Sequence, residues 1–353
     1  MKVFIHHNNV KVKDKRQLFI LTRPFFSNNE WKNNVDEKEK YGLKNDAFQL
    51  VENIEQARIV LLPFSINSYF LENKVQELEN LNSLCQKYSI KVYGNIVDDF
   101  GIAFPDFSNI IYFRASGFKS QLSKHNKGFP VILSDHFQLR YKQETIIPRC
   151  KSDLPTIGFC GHATLSVSKR SKEILIFGRE NLKRILRNPF RKDWEPLFAS
   201  AYERAKIMKL LEHSSLVTTN FIYRNLYRAG AKTKEDLEKT TQEYFDAIYS
   251  SDYVLCIRGA GNFSVRLYET LMFGRIPIFV NTDCILPFED TTDWKKHVIW
   301  VEWKDRKNIA AIVADFHHQL SNEDFIKMQM NNRALWKETL SVTGMLQIIA
   351  NDI

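Results

Sequence analysis

Between Arg258 and Glu269 the sequence RGAGNFSVRLYE gathers two arginines, two glycines, a serine and a carboxylate in one short stretch. Arg258 and Arg266 each offer a planar fork of donors that matches a phosphate. Gly259 and Gly261 let a backbone come close to a ligand. Ser264 stands where a helix cap is wanted, and the free N–H groups and positive dipole end of a helix start attract anions. Glu269 follows Ser264 by five residues, about 7–8 Å along a helix axis. That is the reach from a diphosphate to a ribose, whose hydroxyls suit a carboxylate acceptor. The chemistry is recognition of a nucleotide diphosphate. Each piece also has a plain alternative: the glycines form a tight turn, and Arg266 with Glu269 a surface ion pair worth a few tenths of a kcal/mol. Cap, arginines, carboxylate and glycines nevertheless fall at one strand-to-helix junction.

That junction requires particular elements around it. Tyr253 to Ile257 is a short apolar run, as in a buried parallel strand. Leu267, Leu271 and Met272 mark the inward face of a helix that Gly274 ends. Ile276 to Val280 forms the next strand, followed by a polar turn closed by Leu286-Pro287-Phe288. Further strands are expected at Met1–Ile5, Leu18–Leu21, Ala57–Pro63, Ile90–Tyr93, Asn109–Phe113, Val131–Leu133, Thr156–Phe159, Leu216–Asn220 and His297–Trp303. Helical spacing marks Val75–Tyr88, Trp194–His213, Lys234–Tyr249, Lys307–Leu320 and Asn331–Ile349, while 23–47 reads as polar loop with a short helix. Alternating strands and helices predict α/β architecture with parallel sheets covered on both faces. Prolines bracket the polar run Ile147–Pro155, which sets a domain boundary near residue 150.

Ser264-x-Arg266-x-x-Glu269-x-Leu271-x-x-Gly274-x-Ile276-Pro277, with Asp283 and Leu286-Pro287-Phe288 after it, resembles the signature of the exostosin-type glycosyltransferases, family 47. Trp300-Val301-Glu302 fits the strand that follows. Looser matches lie at Ala57–Phe64 and at Thr156–Gly161 with Arg204 downstream. The resemblance implies a GT-B fold, in which two facing Rossmann-like domains enclose a cleft. Residues 1–150 would take the acceptor side and 151–334 the donor side, with 335–353 crossing back onto the first domain. It also implies a nucleotide-sugar donor, usually UDP-linked, and an inverting hexosyl or glycuronosyl transfer with no required cofactor or metal. Ser264 and Arg266 would hold the diphosphate and Glu269 the ribose. The chain departs from the family at Arg275, where a cysteine is usual, and at Cys256-Ile257-Arg258, where Cys-Leu-x-Pro is common. Positions 276 and 277 are Ile and Pro, so the second glutamate often found in retaining GT-B enzymes is missing there.

An inverting transfer needs a general base on the acceptor hydroxyl and positive charge on the leaving diphosphate. Asp98 and Asp99, beside Gly101, follow one expected strand; Asp135 and His136 follow another; His162 follows the first strand of the second domain. Asp98, Asp99 and His162 are the candidate catalytic residues. Arg204, Arg258, Gly259, Gly261, Ser264, Arg266 and Glu269 are the candidate donor-binding residues. Each candidate base has a duller role open to it, as a turn cap, a helix start or a backbone partner. His6 and His7 could bind acceptor.

With 353 residues, 44% hydrophobic, the chain is long enough for two domains with true cores. Its net charge of +9 favours anionic ligands: nucleotide sugars, an anionic glycan, a phospholipid surface or nucleic acid. Much of that charge lies in residues 166–193, either as a solvated helix face or as a patch for a membrane surface or an anionic acceptor. No nucleic-acid motif accompanies it, and the aromatics do not interleave with the basic run as a stacking platform would, so no nucleic-acid partner is expected. Five scattered cysteines suit a reducing compartment, and the spacing of Cys150, Cys160 and His162 fits no common zinc site. MKVFIHHNNV lacks an apolar signal core, and no apolar run approaches a membrane span, so a cytoplasmic enzyme with a possible membrane contact is expected. The predicted function is sugar transfer from a nucleotide donor to a saccharide or lipid-linked glycan in surface polysaccharide synthesis. The rival readings are a dinucleotide-dependent oxidoreductase, from Gly259-Ala260-Gly261-x-x-Ser264, and a non-catalytic binding module for anionic glycan or nucleic acid.

Overall fold

A computed structural model describes residues 1–6, 19–22 and 49–351. His7 and the loop expected over 23–47 lie outside them. The chain forms two compact units. Unit 1 is Met1–Asp135 with Ile285–Glu289 and Lys337–Ile353; unit 2 is His136–Cys284 with Asp290–Trp336.

The sheet of unit 1 contains β1 (Lys2–Ile5), β2 (Gln49–Leu50), β3 (Ile59–Leu61), β4 (Lys91–Ile96), β5 (Ile110–Arg114) and β6 (Asn126–Gly128). All described pairings are parallel, in the order β2-β1-β3-β4-β5-β6. The apolar run of β3 is buried on both faces, as a central parallel strand requires. Val60 and Val92 meet Leu78, Leu81 and Cys85 of the Val75–Lys87 helix on one side. Ile59, Leu61 and Phe113 meet Val342, Met345, Leu346 and Ile349 on the other.

Unit 2 holds β7 (Thr156–His162), β8 (Thr218–Arg224), β9 (Tyr253–Cys256), β10 (Ile276–Asn281) and β11 (Ile299–Glu302) in the parallel order β11-β10-β9-β7-β8. The first strand, β7, therefore has β8 on one flank and β9 on the other. Strand order reverses between β7 and β9, and in open parallel sheets ligands bind outside the carboxyl ends of strands at such a point. Two Rossmann-like parallel α/β units are the composition of a GT-B chain.

Several local expectations need correction. The unit boundary falls at Asp135, before the proline-bracketed segment, because Phe137 is fully buried among Tyr141, Tyr249 and Phe273 of unit 2. Val131–Leu133 takes no place in the sheet; the edge strand is the polar Asn126–Gly128. Phe19–Thr22 is a turn, not a strand, with Phe19 and Leu21 buried. Helix begins at Ser200, not Trp194, because Asn181 binds both the N–H and the carbonyl of Glu195 and holds that segment extended. The last helical stretch is Asn322–Leu335, a π-helical turn at Trp336–Leu340, then Val342–Asn351.

Candidate active site

The organising loop runs from the end of β9 into the Val265–Met272 helix. Its shape is set by side chains behind it. Asn262, fully buried, donates through Nδ2 to the carbonyls of Thr282 and Asp283 at 3.0 Å each, and Thr282 Oγ1 donates to its Oδ1 at 2.6 Å. Arg258 is 2% exposed, donates to Glu195 Oε1 at 3.2 Å and to the carbonyl of Ala260 at 2.8 Å, and lies over the Phe198 ring. Arg258 thus braces the loop from beneath. The helix that follows buries every residue from Leu267 to Met272, and Gly274 ends it at φ +61°.

Ser264 occupies the N-cap position, with φ −130° and ψ 114°, yet its side chain makes no cap hydrogen bond. Among the described residues its hydroxyl has no partner, and neither do the N–H groups of Val265 and Arg266. The capping role expected of Ser264 is therefore positional only. Its hydroxyl is left available to a ligand.

Arg266 turns back across the end of β7. It donates from Nη2 to the carbonyl of Cys160 at 2.9 Å, with its guanidinium 4.0 Å from the Phe159 ring centre. A Cβ at Gly161 would come within 2.9 Å of Nη2, so glycine there gives the guanidinium its room. Arg204, from the Ser200–Glu212 helix, donates to the carbonyls of Arg258 at 2.9 Å and His162 at 3.4 Å. Burial, with repulsion from Arg266, pushes its pKa down to about 10. Among the described residues neither arginine is in ion-pair contact with a carboxylate, and the buried Nε of each has no hydrogen-bond partner.

Glu269 is 9% exposed and is not the surface ion-pair partner of Arg266. Its Oε2 accepts a hydrogen bond from the Tyr244 hydroxyl, while Oε1 has no partner among the described residues. Burial raises its pKa, and burial with the neighbouring Glu269 drives that of Tyr244 well above the usual phenol value. Tyr244 also presents its ring to Arg266, at 5.6 Å. Tyr244, Phe159 and Glu195 were not singled out in the sequence. Tyr244 sits inside a helix pattern that reads only as core, Phe159 inside the loose Thr156–Gly161 match with no role of its own there, and Glu195 in a segment that reads as helix.

The candidate bases divide between the units. His162, at the end of β7, has a buried Nε2 without a partner, and burial, then Lys169 and Arg204, lower its pKa. Asp98 and Asp99 belong to unit 1: Asp98 Oδ1 caps a turn by accepting from the Phe100 N–H at 2.7 Å, and Asp99 is exposed. His136 stacks on Phe245 at 4.7 Å and opens a helix. The Arg275 that departs from the family pattern is structural, donating to Tyr249 O at 3.0 Å and Gln329 Oε1 at 3.0 Å. Among the described residues no group of three or more His, Cys, Asp and Glu side chains is placed to hold a metal ion.

The exostosin GT47 domain model matches residues 138–316, just over half of the chain and the part that holds β7 to β11. The chain belongs to the exostosin GT47 family. Within this family it is 33% identical over 76 residues to the Physcomitrium patens protein named "Probable glucuronosyltransferase 47 A", a match covering 22% of this chain and 17% of that protein. It is 26% identical over 104 residues to Exostosin-1 of Drosophila melanogaster, covering 30% and 13%. A crystal structure of TarM superposes with a TM-score of 0.35 at 12% identity, over 83% of this chain and 54% of that one. The exostosin-family chain thus aligns with less than a fifth of the length of these curated relatives.

Proposed function

We propose that this exostosin-family chain is an inverting glycosyltransferase whose donor, a UDP-sugar, places its diphosphate at the carboxyl ends of β7 and β9. The observation that carries this reading is the meeting of two cations, Arg204 and Arg266, that have no carboxylate in ion-pair contact among the described residues. Both guanidiniums are half-buried with the Nε of each fully buried, and a cation held so is costly unless something neutralises it; a diphosphate does so for two. Beside them stand the free hydroxyl of Ser264 and the open N–H groups of the helix start, as an anion site requires. Gly259 and Gly261 keep the loop backbone close to that diphosphate.

In this reading Ser264, Arg266 and Arg204 hold the leaving diphosphate and stabilise its growing charge, in place of a metal or cofactor. Glu269, held by Tyr244, accepts from the ribose hydroxyls through its open Oε1. The base is one of Asp98, Asp99 and His162. His162 has support as a neutral imidazole, since its lowered pKa keeps it uncharged at neutral pH. The acceptor is a saccharide or lipid-linked glycan of a surface polysaccharide, assembled on the cytoplasmic side, where five free cysteines would stay reduced.

A screen of UDP- and GDP-sugars for hydrolysis and transfer tests the donor; thermal stabilisation by NAD and not by UDP would overturn it. Among Asp98→Asn, Asp99→Asn and His162→Gln, the variant that keeps UDP binding and loses transfer identifies the base. Full turnover in all three removes the assignment.

A further inference from the structure

The Val167–Arg187 helix lies just beyond β7 and buries only Phe177 and Arg184 of its 21 residues. Leu175, Leu182 and Leu186 are 69%, 56% and 77% exposed, and their spacing of seven and four puts them on one face. In the segment that follows the helix, Phe190 is 89% exposed and Trp194 51% exposed. Charge on the same segment is sorted. Its acids turn inward: Glu180 and Glu195 lie 3.2 and 3.6 Å from Arg184, Asp193 pairs with Arg191, and Glu173 accepts from the Ala201 N–H at 3.1 Å. Lys172, Arg179 and Lys183 stand outward beside the leucines, and Lys172, Arg179 and Arg187 have no ion pair among the described residues.

We propose that this face is a docking surface for an anionic lipid bilayer. A row of exposed leucines flanked by Lys and Arg, with an exposed Phe and Trp just after it in the chain, is the pattern of helices that lie in a membrane interface, apolar side down and cations among the headgroups. A second copy fits less well, since packing ridge on ridge sets each basic row near its own image. Among the described residues no helix is long and apolar enough to cross a membrane, so the contact is peripheral. The helix starts five residues after His162, which would hold the β7 end of the site close to a lipid-borne acceptor. The proposal does not rest on the donor reading, because lipid binding is measured without nucleotide.

The test is flotation of the purified chain with vesicles of phosphatidylcholine alone and with about one part in three phosphatidylglycerol. Binding is expected only to the anionic vesicles and to weaken with salt. Replacing Lys172 and Arg179 by Gln should cut the partition coefficient about fivefold for each charge. A Leu175→Ser, Leu182→Ser, Leu186→Ser triple variant should lose about a hundredfold. A blue shift of tryptophan fluorescence on binding should shrink in Trp194→Phe. Circular dichroism and thermal unfolding check that each variant is folded. Equal binding to both vesicle types, none to either, or full binding by the triple variant overturns the proposal. So does a dimer that the triple variant dissolves, which would assign the ridge to a second copy.

Discussion

Two helices of unit 2 flank the same strand end and solve opposite problems. Val265–Met272 is short and its inner residues are buried, and its anomaly is charge: Glu269 is buried beside Tyr244, and Arg266 is half-buried against the rings of Phe159 and Tyr244. Val167–Arg187 is long and exposed, and its anomaly is apolar: three leucines face outward where lysine and arginine would cost nothing. A charge kept in the interior or a leucine kept in water each loses free energy in the chain alone. The two departures are explained by different ligands, an anion for the first helix and a lipid surface for the second.

The largest expected effect is on the inner helix. Arg266→Ala should weaken UDP binding about a hundredfold by calorimetry, the loss of a charge-assisted phosphate contact; unchanged affinity would make the arginine a packing residue. Next is Gly274→Ala, expected to lower stability by about 2 kcal/mol in urea unfolding. The new Cβ would run into Ile146 Cδ1 and approach Gln329 O to 3.0 Å at a left-handed φ. Tyr244→Phe should weaken UDP binding about tenfold, as Glu269 loses its one side-chain partner. A smaller effect is expected from pH. The lowered pKa of His162 makes its neutral form the one the fold favours, so its contribution to stability is full above the ordinary value of 6.5. It is lost as pH falls from there through the folded value, and a series of melting curves should show this in the native chain but not in His162→Gln. Smallest of all, Leu182→Ser should shift stability by less than about 0.5 kcal/mol and leave UDP affinity unchanged. A large destabilisation would mean that the outer ridge is packed, and the contrast between the helices would fail.

The elements around the site were legible because their signals are local. An apolar run, a glycine stop and the period of Leu267 and Leu271 mark β9, the helix and β10 without help from the rest of the chain. The residues that complete the site were not. Tyr244 reaches Glu269 from another helix, and nothing in its own neighbourhood distinguishes it from a core aromatic; Phe159 reaches Arg266 from another strand, and the loose Thr156–Gly161 match gives it no partner. Long-range hydrogen bonding also overrode local pattern where Asn181 holds Glu195 extended inside a stretch with helical periodicity. The edge strand Asn126–Gly128 was missed because it is polar and short, while the apolar Val131–Leu133 nearby draws attention.

Unit 1 is assembled from three separated pieces of chain, the last of them Lys337–Ile353. Val342, Met345, Leu346 and Ile349 pack on one side of its sheet with Val3, Ile59 and Leu61 of the early strands, beside Phe19, Leu21 and Phe129. During synthesis the first strands stand without that helix until all of unit 2 has been made. Unit 2, whose sheet is complete by β11, has no such delay. The half made first is thus the half finished last, and it is the part most in need of a chaperone while the polypeptide is being made.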